Sequence, residues 1–228
     1  MFRDAVYNNG NWIIGQHVQE PESRHFAVEG NAVLNRFAAS LSAESDRPTA
    51  KFMHLFNTHL PVVMNEDCTY VGETVEFGRA TFKAQVSCAV DRLESLFASM
   101  KEAGVYDRTA IVVLSDHGTT GLGSSKSKGE GEISTGLIGV ANPTLAFKAL
   151  GASGAFSTST QPMSLSDVAG LICGNMGDCI APERTGDRFF NRYTWSAEYW
   201  NSDTLPDLTQ FRISGSVWNP RAWERVSK

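Results

Sequence analysis

The chain has 228 residues, of which 42% are hydrophobic and 20% charged, with a formal net charge of -5. That size accommodates one substantial core, alone or with a small appended subdomain, and the balance is that of a soluble globular domain. The acidic charge without a basic stripe excludes a nucleic-acid footprint, and no apolar run reaches the roughly 18 residues needed to cross a bilayer.

Residues 1–30 are polar and punctuated by Asn8, Asn9, Gly10 and Pro21, which predicts an extended N-terminal arm without a core of its own. Over residues 31–41, Val33, Leu34, Phe37, Ala38 and Leu41 recur at helical spacing, so a short amphipathic helix is expected there. Residues 51–56 (KFMHLF), bounded by Pro48, Asn57 and Pro61, have the pattern of a buried strand, and His54 within it reads as a core residue. The longest periodic segment places Phe77, Val86, Ala89, Val90, Leu93, Leu96, Phe97 and Met100 on one face of a helix over residues 75–103, with Gly104 as its stop.

Residues 109–114 (TAIVVL) are apolar and β-branched, as in a strand covered on both faces. Strand, helix and strand in that order predict a βαβ unit and a parallel sheet. Ser115, Asp116, His117 and Gly118 then fall at the C-terminal end of an interior strand, where open α/β sheets hold their ligands. The Gly-, Ser- and Lys-rich residues 118–139 read either as an active-site loop or as a surface insertion. A further strand is expected over residues 143–147, and a helix over 164–172 opened by Ser164 with Asp167 three positions on. The aromatic last stretch, residues 181–228, predicts a small antiparallel appendage, leaving residues 31–180 as the main α/β domain.

The four cysteines form two sequence-local pairs, Cys68 with Cys88 and Cys173 with Cys179. Four cysteines allow three connectivities, and four buried reduced thiols are the other reading. Disulfides would imply an oxidising, extracytoplasmic compartment.

Asp116 and His117 bring together an oxygen and a nitrogen donor, the types that hold one divalent ion such as Zn²⁺, Mn²⁺, Mg²⁺ or Ca²⁺. Gly118 permits a sharp turn directly after them.

Two blocks carry a family resemblance. GVYDRTAIVVLSDHG, ending at Gly118, resembles the strand and metal loop of the sulfatase-like branch of the alkaline phosphatase superfamily. That branch includes sulfatases and the phosphoglycerol and phosphoethanolamine transferases of bacterial envelopes. HLFNTHLP, from His54 to Pro61, resembles its upstream strand and substrate-side histidine, and looser similarity extends over residues 51–223.

The resemblance implies an incomplete three-layer α/β/α fold with a mainly parallel sheet. It implies Asp116 and His117 as ligands of the divalent ion, and His59 as the histidine facing the transferred phosphoryl or sulfuryl group. Lys126 and Lys128 lie where many sulfatases place a lysine against the anion, although lysines in a Gly/Ser-rich loop are also simply solvated. The implied substrate is a sulfate or phosphate ester, including envelope glycans and lipids. Nothing before His54 resembles the family's activated Ser, Thr or Cys nucleophile or its early acidic ligands. The chain is therefore expected to be the C-terminal part of a longer product, itself soluble but tethered to a membrane on the periplasmic side through the absent N-terminal half. The alternative is a noncatalytic remnant that binds a metal or a partner.

Overall fold

The computed structural model describes residues 7–8, 11–12, 26–44, 47–72, 75–119, 133–175, 179, 188–194 and 207–227. The chain divides into two compact units, Met1–Tyr106 and Asp107–Lys228.

In the first unit, Tyr7–Asn8 (β1) pairs antiparallel with Asn11–Trp12 (β2). Helix α1 spans Phe26–Ala39 and buries Ala27, Asn31 and Leu34, one stripe at i, i+4 and i+7. Helix α2 spans Arg79–Glu102 and buries Gln85, Cys88, Leu96 and Met100. The buried stripe therefore includes a glutamine, while Val90, expected on the apolar face, is 55% exposed. The helix begins where the Thr81 hydroxyl accepts the Gly78 N–H at 3.0 Å and donates to the Glu76 carbonyl at 2.8 Å. It ends at Gly104, whose positive φ of 68° lets the Val105 N–H turn back to the Met100 carbonyl at 2.9 Å.

The core of this unit gathers Ala27, Val63, Met64 and Cys88, with Cys68 packed against it. Cys68 is disulfide-bonded to Cys88, so the loop between Met64 and α2 is stapled to the helix. A short polar chain runs through the same interior. Asn57 Nδ2 donates to Asn31 Oδ1 at 2.7 Å, and Asn31 Nδ2 approaches the Cys88 sulfur at 3.4 Å.

In the second unit, strand β3 (Ile111–Leu114) pairs antiparallel with β4 (Leu145–Lys148), and helix α3 (Thr135–Val140) lies between them in sequence. A 3-10 turn at Leu165–Asp167 leads into α4 (Val168–Cys173), and the Ser164 N–H donates to Asp167 Oδ2 at 2.9 Å. Cys173 is bonded to Cys179. Strands β5 (Phe189–Thr194), β6 (Asp207–Ile213) and β7 (Trp223–Ser227) form an antiparallel sheet in that order. Phe211 and Trp223 from this sheet pack with Leu137 and Ile138 of α3, and Trp223 Nε1 donates to the Val217 carbonyl at 2.9 Å.

These facts correct the expected fold class. The anticipated three-layer arrangement with a mainly parallel sheet is not present: every strand pair among the described residues is antiparallel. Residues 51–56 join no ladder among the described residues, and all but Leu55 are exposed, with Phe52 91% exposed and His54 also exposed. The expected βαβ unit therefore lacks its first strand. Strand β3 is half-buried rather than enclosed, and Leu114 is 45% exposed. An apolar, β-branched run specifies a strand, but which strand pairs with it, and in which direction, is decided by tertiary contacts that the run does not encode.

Candidate functional site

The turn holding Asp116 and His117 is fixed on three sides within its unit. Ile111, Val112 and Val113 favour extended backbone, and β3 ends where Ser115 continues the contact with the strand opposite. The Ser115 N–H donates to the Thr144 carbonyl at 3.0 Å, and the Ser115 hydroxyl accepts the Thr144 N–H at 2.8 Å. Three residues on, the Gly118 N–H donates to the Val140 carbonyl at the end of α3 at 2.8 Å.

Glycine is required at this crossing by space. A Cβ on Gly118 would lie 2.0 Å from the Gly139 carbonyl oxygen, and one on Gly139 would lie 2.4 Å from that of Thr119. Helix α3 is in turn started by the Ser134 hydroxyl, which accepts the Leu137 N–H at 3.2 Å, and is anchored by Leu137 and Ile138 in the core. Burial under the C-terminal sheet thus positions the turn.

Within the turn, Asp116 Oδ1 accepts the His117 N–H at 3.0 Å, and His117 Nδ1 lies 2.5 Å from the Gly118 carbonyl oxygen. A carbonyl only accepts, so Nδ1 carries the proton and the Nε2 lone pair of the neutral ring faces outward. Nε2 stands 3.8 Å from Asp116 Oδ2, and the two side chains are 62% and 76% exposed.

Two donors about 2.1 Å from one ion at a tetrahedral angle are about 3.4 Å apart, so a small side-chain adjustment places both on one cation. A backbone carbonyl fixing the far nitrogen is also the arrangement that orients metal-binding histidines. The pair fits as two ligands of a divalent ion. Among the described residues, no group of three or more His, Cys, Asp or Glu side chains converges.

His59 belongs to the first unit. Its Nδ1 lies 2.6 Å from the Leu60 carbonyl oxygen, which places the proton on Nδ1 in the neutral ring, and its ring meets Phe56 edge-on with centroids 5.8 Å apart. The ring is exposed, yet the backbone beneath it is held by Gln85, a side chain only 1% exposed. Gln85 Nε2 donates to the His59 carbonyl at 3.0 Å, and Gln85 Oε1 accepts the Val63 N–H at 2.8 Å and the Met64 N–H at 3.3 Å.

Lys126 and Lys128 lie outside the described residues, as do His17 and His25. Reading the sequence missed Gln85, Ser115 and the Gly118–Gly139 crossing as supports. A signal for Gln85 was present: it sits three residues before Cys88 on the stripe that continues through Leu96 and Met100, and a polar side chain on a buried face needs partners.

No family model, curated protein or solved structure matches the chain.

Proposed function

We propose that the chain supplies part of a metal-dependent centre that transfers a phosphoryl or sulfuryl group from an ester, with Asp116 and His117 as metal ligands. The observation that carries the reading is the Asp116–His117 turn: two unlike donors 3.8 Å apart, exposed together, with the imidazole proton held on the far nitrogen. The two sequence blocks HLFNTHLP and SDHG support the same reading, which rests on these local features and makes no use of a parallel sheet.

A bound divalent ion would draw negative charge off the ester oxygens. The chain's own residues then have defined tasks. Gly118 holds the proton on His117 Nδ1 and so keeps Nε2 available as a donor atom. His59, in the first unit, keeps Nδ1–H directed at the Leu60 carbonyl, which leaves Nε2 as its other polar atom. Further ligands and the nucleophile come from outside the described residues, and we place them in sequence upstream of Met1. The two disulfides support an extracytoplasmic setting, where an envelope glycan or lipid ester is the substrate. No helix of the described residues is long and apolar enough to cross a membrane.

Calorimetric titration with Zn²⁺ and Mn²⁺ is the first test. Two protein ligands bind weakly, and Asp116→Asn or His117→Ala is expected to remove that binding. The chain extended upstream in its own reading frame is then expected to cleave an aryl sulfate or a phosphodiester only with divalent metal, and to lose that activity in Asp116→Asn. Activity that survives Asp116→Asn refutes the assigned role. Metal binding that persists without turnover in the extended chain favours instead a noncatalytic metal-binding domain.

A further inference from the structure

The loop that Cys68 ties to α2 has a firmly bonded base and a lightly held tip. At the base, Gln85 Oε1 accepts the Val63 and Met64 N–H groups, the Val71 N–H donates to the Val63 carbonyl at 2.9 Å, and Met64 bridges Tyr70. At the tip, the Cys68 N–H donates to the Asn65 carbonyl at 3.1 Å and closes a tight turn, while Glu66, Asp67 and Thr69 are exposed. Cys68 is the tip residue that packs against the core of Ala27, Val63, Met64 and Cys88.

Among the described residues, Cys68 is the one non-glycine with a positive φ, 63°, a left-handed conformation that side chains adopt at a cost. The two sulfurs also differ in their surroundings. Cys88 is 2% exposed, and Asn31 Nδ2, itself positioned by Asn57, approaches its sulfur at 3.4 Å. Cys68 is only half-buried. An N–H directed at a sulfur stabilises it as a thiolate, and exchange is faster when the departing thiol is more acidic.

We propose that Cys68–Cys88 is a redox latch: an external dithiol opens it by attack at Cys68, and opening releases residues 65–69 while Gln85 keeps the base in place. A thiolate of the dithiol bonds to Cys68 Sγ, the Cys68–Cys88 bond breaks, and its electron pair leaves on Cys88 Sγ beside Asn31. The second thiolate then attacks the dithiol's own sulfur and frees Cys68. The dithiol is oxidised to a disulfide, and its two protons end on Cys68 and Cys88. Released from the bond, Cys68 relaxes to a negative φ, which moves the tip off α2. Glu66 and Asp67 flank the attacked sulfur, so an uncharged reductant is favoured over an anionic one.

The test adds dithiothreitol to the full chain and follows hydrogen exchange by mass spectrometry, with circular dichroism as the control for folding. Reduction is expected to remove protection at Asn65 and Cys68 and to leave the protection of Val63 and Met64, and the helical signal, in place. The variant Cys173→Ser with Cys179→Ser, which keeps this bond alone, should respond in the same way. With 2-mercaptoethanol followed by alkylation, the adduct is expected on Cys68 about fivefold more often than on Cys88. Loss of the helical signal would make the bond a keystone of its unit, and unchanged exchange at Asn65 and Cys68 would make it inert. Either result, or an adduct mainly on Cys88, overturns the proposal. Asn31→Leu is expected to slow the reaction several-fold, and an equal rate refutes the part given to Asn31. If that variant does not fold, the adduct position and the exchange pattern of the unaltered chain decide.

Discussion

Gln85 holds the backbone of His59. The amide donates from Nε2 to the His59 carbonyl at 3.0 Å and accepts at Oε1 from Val63 and Met64, so one buried side chain of α2 spans both ends of the segment around Pro61. Replacing it with leucine keeps the volume but leaves the Val63 and Met64 N–H groups without that acceptor in the interior. Gln85→Leu is expected to destabilise the protein by about 2–4 kcal/mol, read from urea unfolding. A change below about 0.5 kcal/mol would mean that water or other groups take over the clamp.

The Cys68–Cys88 bond closes a loop of sequence separation 20. Chain-entropy reasoning puts the contribution of such a crosslink at about 3 kcal/mol. The double variant Cys68→Ser with Cys88→Ala is expected to show that loss in denaturant melts, and a reducing agent should not lower its stability through this bond any further. Peptide mapping without reduction should find Cys68 joined to Cys88 and Cys173 joined to Cys179; crossed linkages would contradict the structure.

Gly118→Ala puts a methyl group 2.0 Å from the Gly139 carbonyl oxygen and 2.8 Å from that of Asn142. Both obstacles are main-chain atoms, so relief requires the turn to move. The expected cost is about 1–3 kcal/mol in stability. The same shift should lower divalent-metal affinity, whereas Gly170→Ala, where nothing lies within 4 Å, should leave metal binding unaltered. Equal metal affinity in Gly118→Ala would show that the turn does not depend on this crossing.

Asp67 sits beside the stapled Cys68 and accepts the Thr69 N–H at 2.9 Å. Hydrogen bonds from the Thr69 side chain, then its backbone, hold the Asp67 carboxyl below its ordinary value, with Asn65 adding in the same direction. The unfolded chain therefore binds a proton at higher pH than the native one. The resulting stability is complete above the unfolded value, about 3.9, and is lost as pH falls through the lower native value. Asp67→Ala should flatten that part of the stability profile between about pH 5 and pH 2, measured by chemical denaturation at each pH. An unchanged profile would remove Asp67 from the account.

Local patterns were legible where the responsible interactions are local. The stop at Gly104, the helix over most of residues 75–103 and the Ser164–Asp167 start depend on neighbours within a turn, and each is present. The placement of Asp116 and His117 at the end of a strand was legible for the same reason: three β-branched residues precede them and a glycine follows. Sheet direction was not. The run at residues 51–56 has the composition of a strand but joins no ladder among the described residues, and β3 is paired by β4, which returns through the short helix α3. His54 followed the same error, since a core assignment presupposed a strand with a covered face. Gln85 escaped notice because hydrophobic periodicity reads a glutamine as an interruption, whereas its partners are main-chain groups that no composition announces.

The meeting of Gly118 with Val140 and Gly139 has an evolutionary and practical consequence. Because backbone atoms alone make that junction, the chain on either side of residues 120–132 is pinned before the connection between the ends is considered. Length in that connection is then thermodynamically cheap, about 0.6 kcal/mol for each doubling. Insertions between Thr119 and Ile133 would therefore leave the coordinates of the Asp116–His117 turn in place, and the scaffold need not be rebuilt around them.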